Sequence, residues 1–426
     1  MTAENTSRIR WVLIFWLFVL SAVAYLDRVN ISIAGPLLKS EFHLSNIQLG
    51  RIFSSFLAGY ALFQTPGGRL ADKLGARRIL ALAVLWWGVF SALTVAVSSG
   101  FNSALLAFMA LRFVLGAGEA VMYPASNQFV ARWIPSSERG LANGLIFAGV
   151  GVGAGFTPPL ITFIMLRYGW RVSFVVCALI GLLVGLVWYL IARDSPEAHA
   201  SVSAKELSTI KAGLPSSAAA AQSKLVSWRR MLGSREVIAI TFSYFSYGYV
   251  AWIFFSWFYI YLLDARGLNL KASAVYSMLP FIAMAVCSPV GGLVSDALAK
   301  SKGPRVGRSY LAVFGMLLAA VFLVIGSRAG NTNVAVVVLA GGAGALYLSQ
   351  SSFWSVTADI GGKSAGSVSG FVNAGNQFGA MITASLTPWI ASHFGWTTAF
   401  LVAATLCICG ALTWLLVDPR KQLEAT

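Results

Sequence analysis

Charge is scarce in this chain. Asp, Glu, Lys and Arg make up 11% of its 426 residues, whereas soluble domains average about 25%, so a soluble globular class is excluded. Acidic residues are the scarcer sign, 15 against 31 basic ones, for a formal net charge of +16. The cations lie between apolar stretches and not in one basic block. That argues against a nucleic-acid partner and for topology signals and contact with anionic lipid. Histidine occurs three times, at His43, His199 and His393, too far apart to suggest a metal site. The four cysteines, Cys177, Cys287, Cys407 and Cys409, all fall in apolar stretches and form no loop-disulfide pattern. They read as small packing residues. No nucleophile–base–orienter set is visible, which argues against an enzyme, and no soluble signalling domain is attached. The run Gly149-Val150-Gly151-Val152-Gly153-Ala154-Gly155 lacks the Lys-Ser/Thr of a phosphate loop and fits close helix packing instead.

What the chain has in abundance is apolar length. Hydrophobic residues make up 58% of it. Crossing the hydrocarbon of a bilayer takes about 20 such residues in a helix. Twelve runs qualify, roughly 11–37, 47–68, 79–99, 103–132, 139–164, 171–192, 236–263, 272–295, 309–328, 332–356, 364–391 and 396–417. Lipid admits only helices or closed barrels, and runs of this length without strict alternation predict helices. The first run is too long for a signal peptide and carries charge, so it reads as a retained span. Placing both termini in the cytoplasm puts roughly threefold more Lys and Arg inside than outside, as the positive-inside rule requires. The Ser-, Ala- and charge-rich stretch 193–235 reads as a flexible cytoplasmic linker with a short surface helix near Ala204–Ala212. The expected organisation is a tail at 1–10, a six-helix bundle at 11–192, the linker, a second bundle at 236–417 and a tail at 418–426.

The halves echo each other. Gly67-Gly68-Arg69-Leu70-Ala71-Asp72 follows the second run, and Gly291-Gly292-Leu293-Val294-Ser295-Asp296 follows the eighth. Gly169-Trp170 opens the sixth run and Gly395-Trp396 the twelfth. Two landmarks repeated at offsets of 224 and 226 residues indicate an internal duplication, which in membrane proteins marks secondary transporters with a site between the repeats.

Two acid–base pairs sit inside apolar runs: Asp27 with Arg28, and Arg112 with Glu119. An ionisable group at that depth costs roughly 2.5–3.5 kcal/mol on insertion scales and is read as functional. Arg112 and Glu119 are seven residues apart, close to two turns, and share a helix face. Glu119 is thus a candidate proton carrier with Arg112 as its salt-bridge partner. Asp27 and Arg28 are adjacent and point about 100° apart, so one is expected to face the fourth helix and the other the cavity. A buried ion-pair network that only fixes packing is the plain alternative; such pairs are poor stabilisers against apolar substitutes.

The stretch Pro66 to Arg78, with Gly67, Gly68, Arg69, Asp72, Gly75 and Arg77, together with Arg112, Gly116 and Gly118, resembles the Major Facilitator Superfamily. Tyr25-Leu26-Asp27-Arg28-Val29-Asn30, the stretch Arg112 to Pro124, and Pro135-Ser136-Ser137-Glu138-Arg139 further resemble its anion:cation symporter family, which includes bacterial carriers of hexuronate, galactonate and glucarate. The resemblance implies an all-α membrane fold of twelve helices in two pseudo-symmetric bundles. It also implies that Arg28 anchors a substrate carboxylate and that Asp27 and Glu119 carry protons. It raises Tyr60 and Asn373 among further substrate-binding candidates, which are Gln64, Tyr123, Asn127, Trp252 and Ser351. Asp72, Arg77, Glu138, Arg139 and Asp296, at cytoplasmic helix ends, are gating candidates. Val150 and Phe353 stand where galactonate-type relatives carry a glutamine and a threonine, so the cavity is expected to offer fewer polar contacts. The glycine run also lacks the pattern of drug antiporters.

The resulting expectation is a monomeric, proton-coupled importer of a small carboxylate, a sugar acid by resemblance, in a bacterial inner membrane. The proton gradient is its driving force and it needs no cofactor. An exchanger or uniporter without proton coupling, a carrier of aromatic acids, and a non-transporting receptor are the rival readings.

Overall fold

The computed structural model describes residues 7–44, 46–98, 103–214 and 225–423; the Ala-rich stretch 218–221 lies outside them. Among the described residues the regular structure is helical. The amino-terminal half contains α1 (Ile9–Phe42), α2 (Asn46–Leu74), α3 (Ala76–Thr94), α4 (Ala104–Glu119), α5 (Met122–Trp133), α6 (Arg139–Tyr168) and α7 (Trp170–Ile191). Two short helices follow, α8 (Ala204–Ala212) and α9 (Trp228–Gly233). The carboxy-terminal half contains α10 (Arg235–Ser256), α11 (Phe258–Asp264), α12 (Leu270–Lys302), α13 (Leu311–Arg328), α14 (Thr332–Leu348), α15 (Gln350–Gly361) and α16 (Ala365–Thr413), with a π-helical turn at Arg305–Tyr310 before α13. Large apolar side chains cover the outer surface: Phe156, Leu183, Leu106 and Phe394 are each more than 60% exposed. Such a surface belongs in lipid.

The repeat seen in sequence has a backbone counterpart. Gly169, between α6 and α7, has φ 83° and ψ 163°; Gly395, inside α16, has φ 83° and ψ 161°. Both conformations need glycine. At Gly395 the non-helical backbone divides the long α16 into two crossings.

Three of the expected runs are interrupted. The fourth breaks between Glu119 and Met122, the seventh at Trp257 and the tenth at Ser349. In the fourth, Pro124 has no N–H to return to the carbonyl of Ala120, so the ladder lapses there. The fourth and tenth runs occupy equivalent places in the two halves, so the duplication extends to the breaks. Interrupted helices at membrane depth are tolerated where they are enclosed by protein or line a cavity.

The halves meet along α2 with α16 and along α6 with α12. Gly68 lies so close to the carbonyl of Gly366 that a side chain there would collide with it; Gly140 and Gly292 approach in the same way. Both crossings lie at one end of the molecule. Ser7 bonds Ser203, and Leu423 donates to the carbonyl of Ile360, so the linker and both described chain ends share it. We call it the linker end.

Candidate functional site

Arg28 on α1 reaches Glu119, the last residue of α4, with Nε 2.5 Å from Oε1. Both are buried, at 7% and 0% exposure. Its guanidinium also lies over four aromatic rings, Tyr60 at 4.3 Å, Tyr25 at 4.8 Å, Phe56 at 5.6 Å and Tyr123 at 5.8 Å. A cation desolvated by burial regains part of the lost interaction from ring faces. One guanidinium nitrogen, Nη2, and one Glu119 oxygen, Oε2, have no hydrogen-bond partner. A buried ionic pair with open valences is costly as mere scaffolding.

Here the structure corrects the sequence reading. The expected partner of Glu119 is Arg112, but the ion pair forms with Arg28. The side chains of a helix lean toward its amino terminus, so Arg112 leans away from a carboxylate two turns further on. Arg112 lies 4.7 Å from the Phe56 ring centroid, with Nε and Nη1 unpartnered. Asp27 does not line the cavity: it accepts 2.6 Å from the Ser91 hydroxyl on α3, interacts electrostatically with Arg112 on α4, and leaves Oδ2 without a hydrogen-bond partner. Arg28 alone meets both α4 and the cavity.

That cavity lies between the halves. The amino-terminal half lines it with Tyr25, Arg28, Tyr123, Phe147 and Val150, the other half with three tyrosines and a cluster of amides. Tyr25 contacts Phe255 across it, ring centroids 5.5 Å apart, and Phe255 in turn packs on Phe281 at 5.0 Å. Of the expected substrate-binding residues, Arg28, Tyr123, Trp252 and Asn373 line this space. The others are placed differently. Tyr60 sits behind Arg28. Gln64 accepts from Asn373 at 3.0 Å, and Asn127 donates to Thr357 at 3.0 Å, so both amides tie the halves together. Ser351 is buried and is not part of the lining. Sequence reasoning missed Tyr25 and Tyr347 as lining residues, and left Tyr244, Tyr247, Gln350, Asn376 and Gln377 unranked. The crowding of tyrosines on α10 and of amides on α16 was the available signal.

At the linker end a pair of matching devices joins the two halves. Asp72, at the end of α2, accepts from the backbone N–H groups of Gly366 and Ser367 at 2.9 and 2.8 Å and from the Ser367 hydroxyl at 2.6 Å. It therefore caps α16 of the opposite half, where free N–H groups and the helix dipole favour an anion. Asp296, near the end of α12, does the same for α6 through Gly140 and Leu141 at 2.9 and 2.7 Å, and also holds Arg308 at 2.7 Å. Arg139 crosses to Asp359 at 2.5 Å. Asp359 and Arg308 were not anticipated; each is one charge at the edge of an apolar run. Two gating candidates do not bridge the halves. Arg77 donates to the Tyr189 carbonyl and packs on that ring, and Glu138 pairs with Arg10, all within the amino-terminal half.

Two bundles meeting around a buried, partly unsatisfied ion pair, with one end latched, define an integral membrane transporter. The sequence comparisons agree. The chain belongs to the Major Facilitator Superfamily, whose profile matches residues 17–373 and 279–426. It is 34% identical to a probable sulfoacetate transporter of Cupriavidus necator over 95% of this chain and 92% of that one. It is 31% identical to the hexuronate transporter of Bacillus subtilis, over 94% and 92%, and 28% identical to a probable L-galactonate transporter of Escherichia coli, over 99% and 93%. Its fold is that of the solved proton:xylose symporter XylE, with a TM-score of 0.77, 16% identity and coverage of 99% and 98%.

Proposed function

We propose that the protein is a proton-coupled symporter that takes up a small organic anion, a sugar acid as in several of its relatives, by alternating access. The observation that carries this reading is the Arg28–Glu119 pair beside the cavity. A substrate carboxylate and Glu119 compete for the same guanidinium, whose planar fork suits a bidentate carboxylate. A proton on Glu119 releases Arg28 to the substrate; losing both the proton and the substrate restores the pair. Asp27, near Arg112 and separated from the cavity, is the second proton site. The linker end faces the cytoplasm of a bacterial inner membrane, an orientation supported by the excess of Lys and Arg expected on that side. Asp72, Asp296 and the Arg139–Asp359 pair hold that end closed while the site loads from outside.

The test is transport in reconstituted vesicles with an acid exterior. Glu119→Gln should lose uphill accumulation while retaining substrate exchange; undiminished accumulation would contradict the coupling role. Arg28→Ala should weaken carboxylate binding by about 2–4 kcal/mol, roughly 30- to 1,000-fold in Kd; unchanged affinity removes it as the anchor. Internal pH that stays constant during uptake would favour an uncoupled exchanger.

A further inference from the structure

The two walls of the cavity differ in charge. The amino-terminal wall presents one cation, Arg28. The facing wall presents Tyr244, Tyr247, Tyr347, Gln350, Asn376 and Gln377, all neutral. No Lys or Arg occurs between Lys271 and Lys300, between Arg308 and Arg328, between Arg328 and Lys363, or between Lys363 and Arg420. The crossings of the carboxy-terminal half therefore hold no cation at depth that could swing into the site. The open valences match this division. Arg28 Nη2 is an unpartnered charged donor; on the facing wall Gln350 Oε1 and Gln377 Oε1 are unpartnered acceptors on residues 2% and 5% exposed, and the unpartnered Tyr247 hydroxyl is neutral. The Gln350 amide nitrogen is already committed to the Tyr244 hydroxyl at 2.9 Å.

We propose that the site accepts one anionic group and no more: its substrate is a singly charged acid whose far end is neutral and carries hydroxyl donors for Gln350 and Gln377. This deepens the reading above and rests on it. A carboxylate on Arg28 is paired. A second carboxylate or sulfonate on the same molecule would leave water to face amide oxygens and tyrosines, and burial of an unpaired charge is heavily penalised. A neutral hydroxyl in that place satisfies an orphaned acceptor and loses little.

The experiment measures binding to the purified full-length protein in lipid nanodiscs at pH 7.5, where both groups of a diacid are ionised. Matched open-chain pairs of equal length are compared: galactonate with galactarate, gluconate with glucarate. The singly charged member should bind at least 100-fold more tightly, and the monomethyl ester of each diacid should recover most of that difference. Gln350→Arg should raise diacid affinity relative to monoacid affinity by tenfold or more. A diacid that binds the unaltered protein within tenfold of its monoacid partner overturns the proposal and leaves the anion-transport reading intact. Failure of every acid to bind, with neutral sugars binding instead, overturns both.

Discussion

Arg28 shows how much one residue depends on its surroundings. Its charge is held at depth by one carboxylate and four ring faces. Tyr60 is the clearest instance: its ring lies 4.3 Å from the guanidinium carbon, while its hydroxyl has no partner. Its contribution is therefore assigned to the ring. Tyr60→Phe should change melting and substrate affinity by less than about 0.5 kcal/mol, since no hydrogen bond is lost. Tyr60→Leu removes the ring face and should weaken binding by about 1 kcal/mol, roughly fivefold. Calorimetric titration of both variants decides between hydroxyl and ring. The motif residues Asp27, Arg28, Arg112 and Glu119 were legible because ionisable groups are conspicuous in apolar runs. Their pairing was not, because it depends on where the bundle sets α1 and α4 relative to each other, and those helices are far apart in sequence.

At the scale of elements, the latches couple a helix end of one half to a helix start of the other. Asp72 lies beyond the apolar run 47–68. Burial pushes its carboxyl up to about 6, against the pull of the bonds from Ser367 and Gly366 and the charge of Arg132. Released to water, an aspartate titrates near 3.9. The latched state thus binds the proton more tightly than the open one. Its share should rise as linker-side pH falls from about 7 through 6 toward 4, and that gain is lost above 6. Distance measurements between labels at Leu74→Cys and Lys300→Cys, both exposed sites on opposite halves, would follow it. Asp72→Asn should abolish the pH dependence and leave the distance constant across that range. The sequence singles out these loops by their repeated Gly-Gly-x-x-x-Asp pattern, but the partner of each aspartate is a helix start almost 300 residues on in one case and over 150 back in the other. No local pattern names it.

For the whole molecule, the linker is more than a tether. Its helix α8, expected as a surface helix, is anchored by Glu206, which is fully buried. Glu206 accepts from the Ser7 hydroxyl at 2.5 Å, from the backbone of Ile9 and Arg10 at 3.1 and 3.2 Å, and from the Arg10 guanidinium at 3.1 Å. Further along, Val226 donates to Ser364 while its carbonyl accepts from Arg69. The first stretch thus moves with the amino-terminal half, and the second ties Arg69 to the start of α16. Glu206→Ala leaves Arg10 Nη1 and two N–H groups of α1 without an acceptor, while Arg10 keeps Glu138, and should cost about 2–4 kcal/mol. A cysteine at Ile210, on the buried face of α8, should label slowly in the parent and quickly in that variant; equal rates would show that α8 is held by other contacts.

The sequence by itself determined the membrane environment, the helical class, the duplicated halves and the presence of ionisable groups at depth. Each of these follows from apolar length, repeat spacing or the cost of burying charge, and all are properties of residues close along the chain. Only the tertiary structure decided which arginine holds Glu119, which amides face the cavity and which join the halves, where three helices break, and how each aspartate finds its helix end. Those outcomes depend on the packing angles of helices far apart in sequence. Helical period places a side chain on a face, but it does not say which neighbour that face meets.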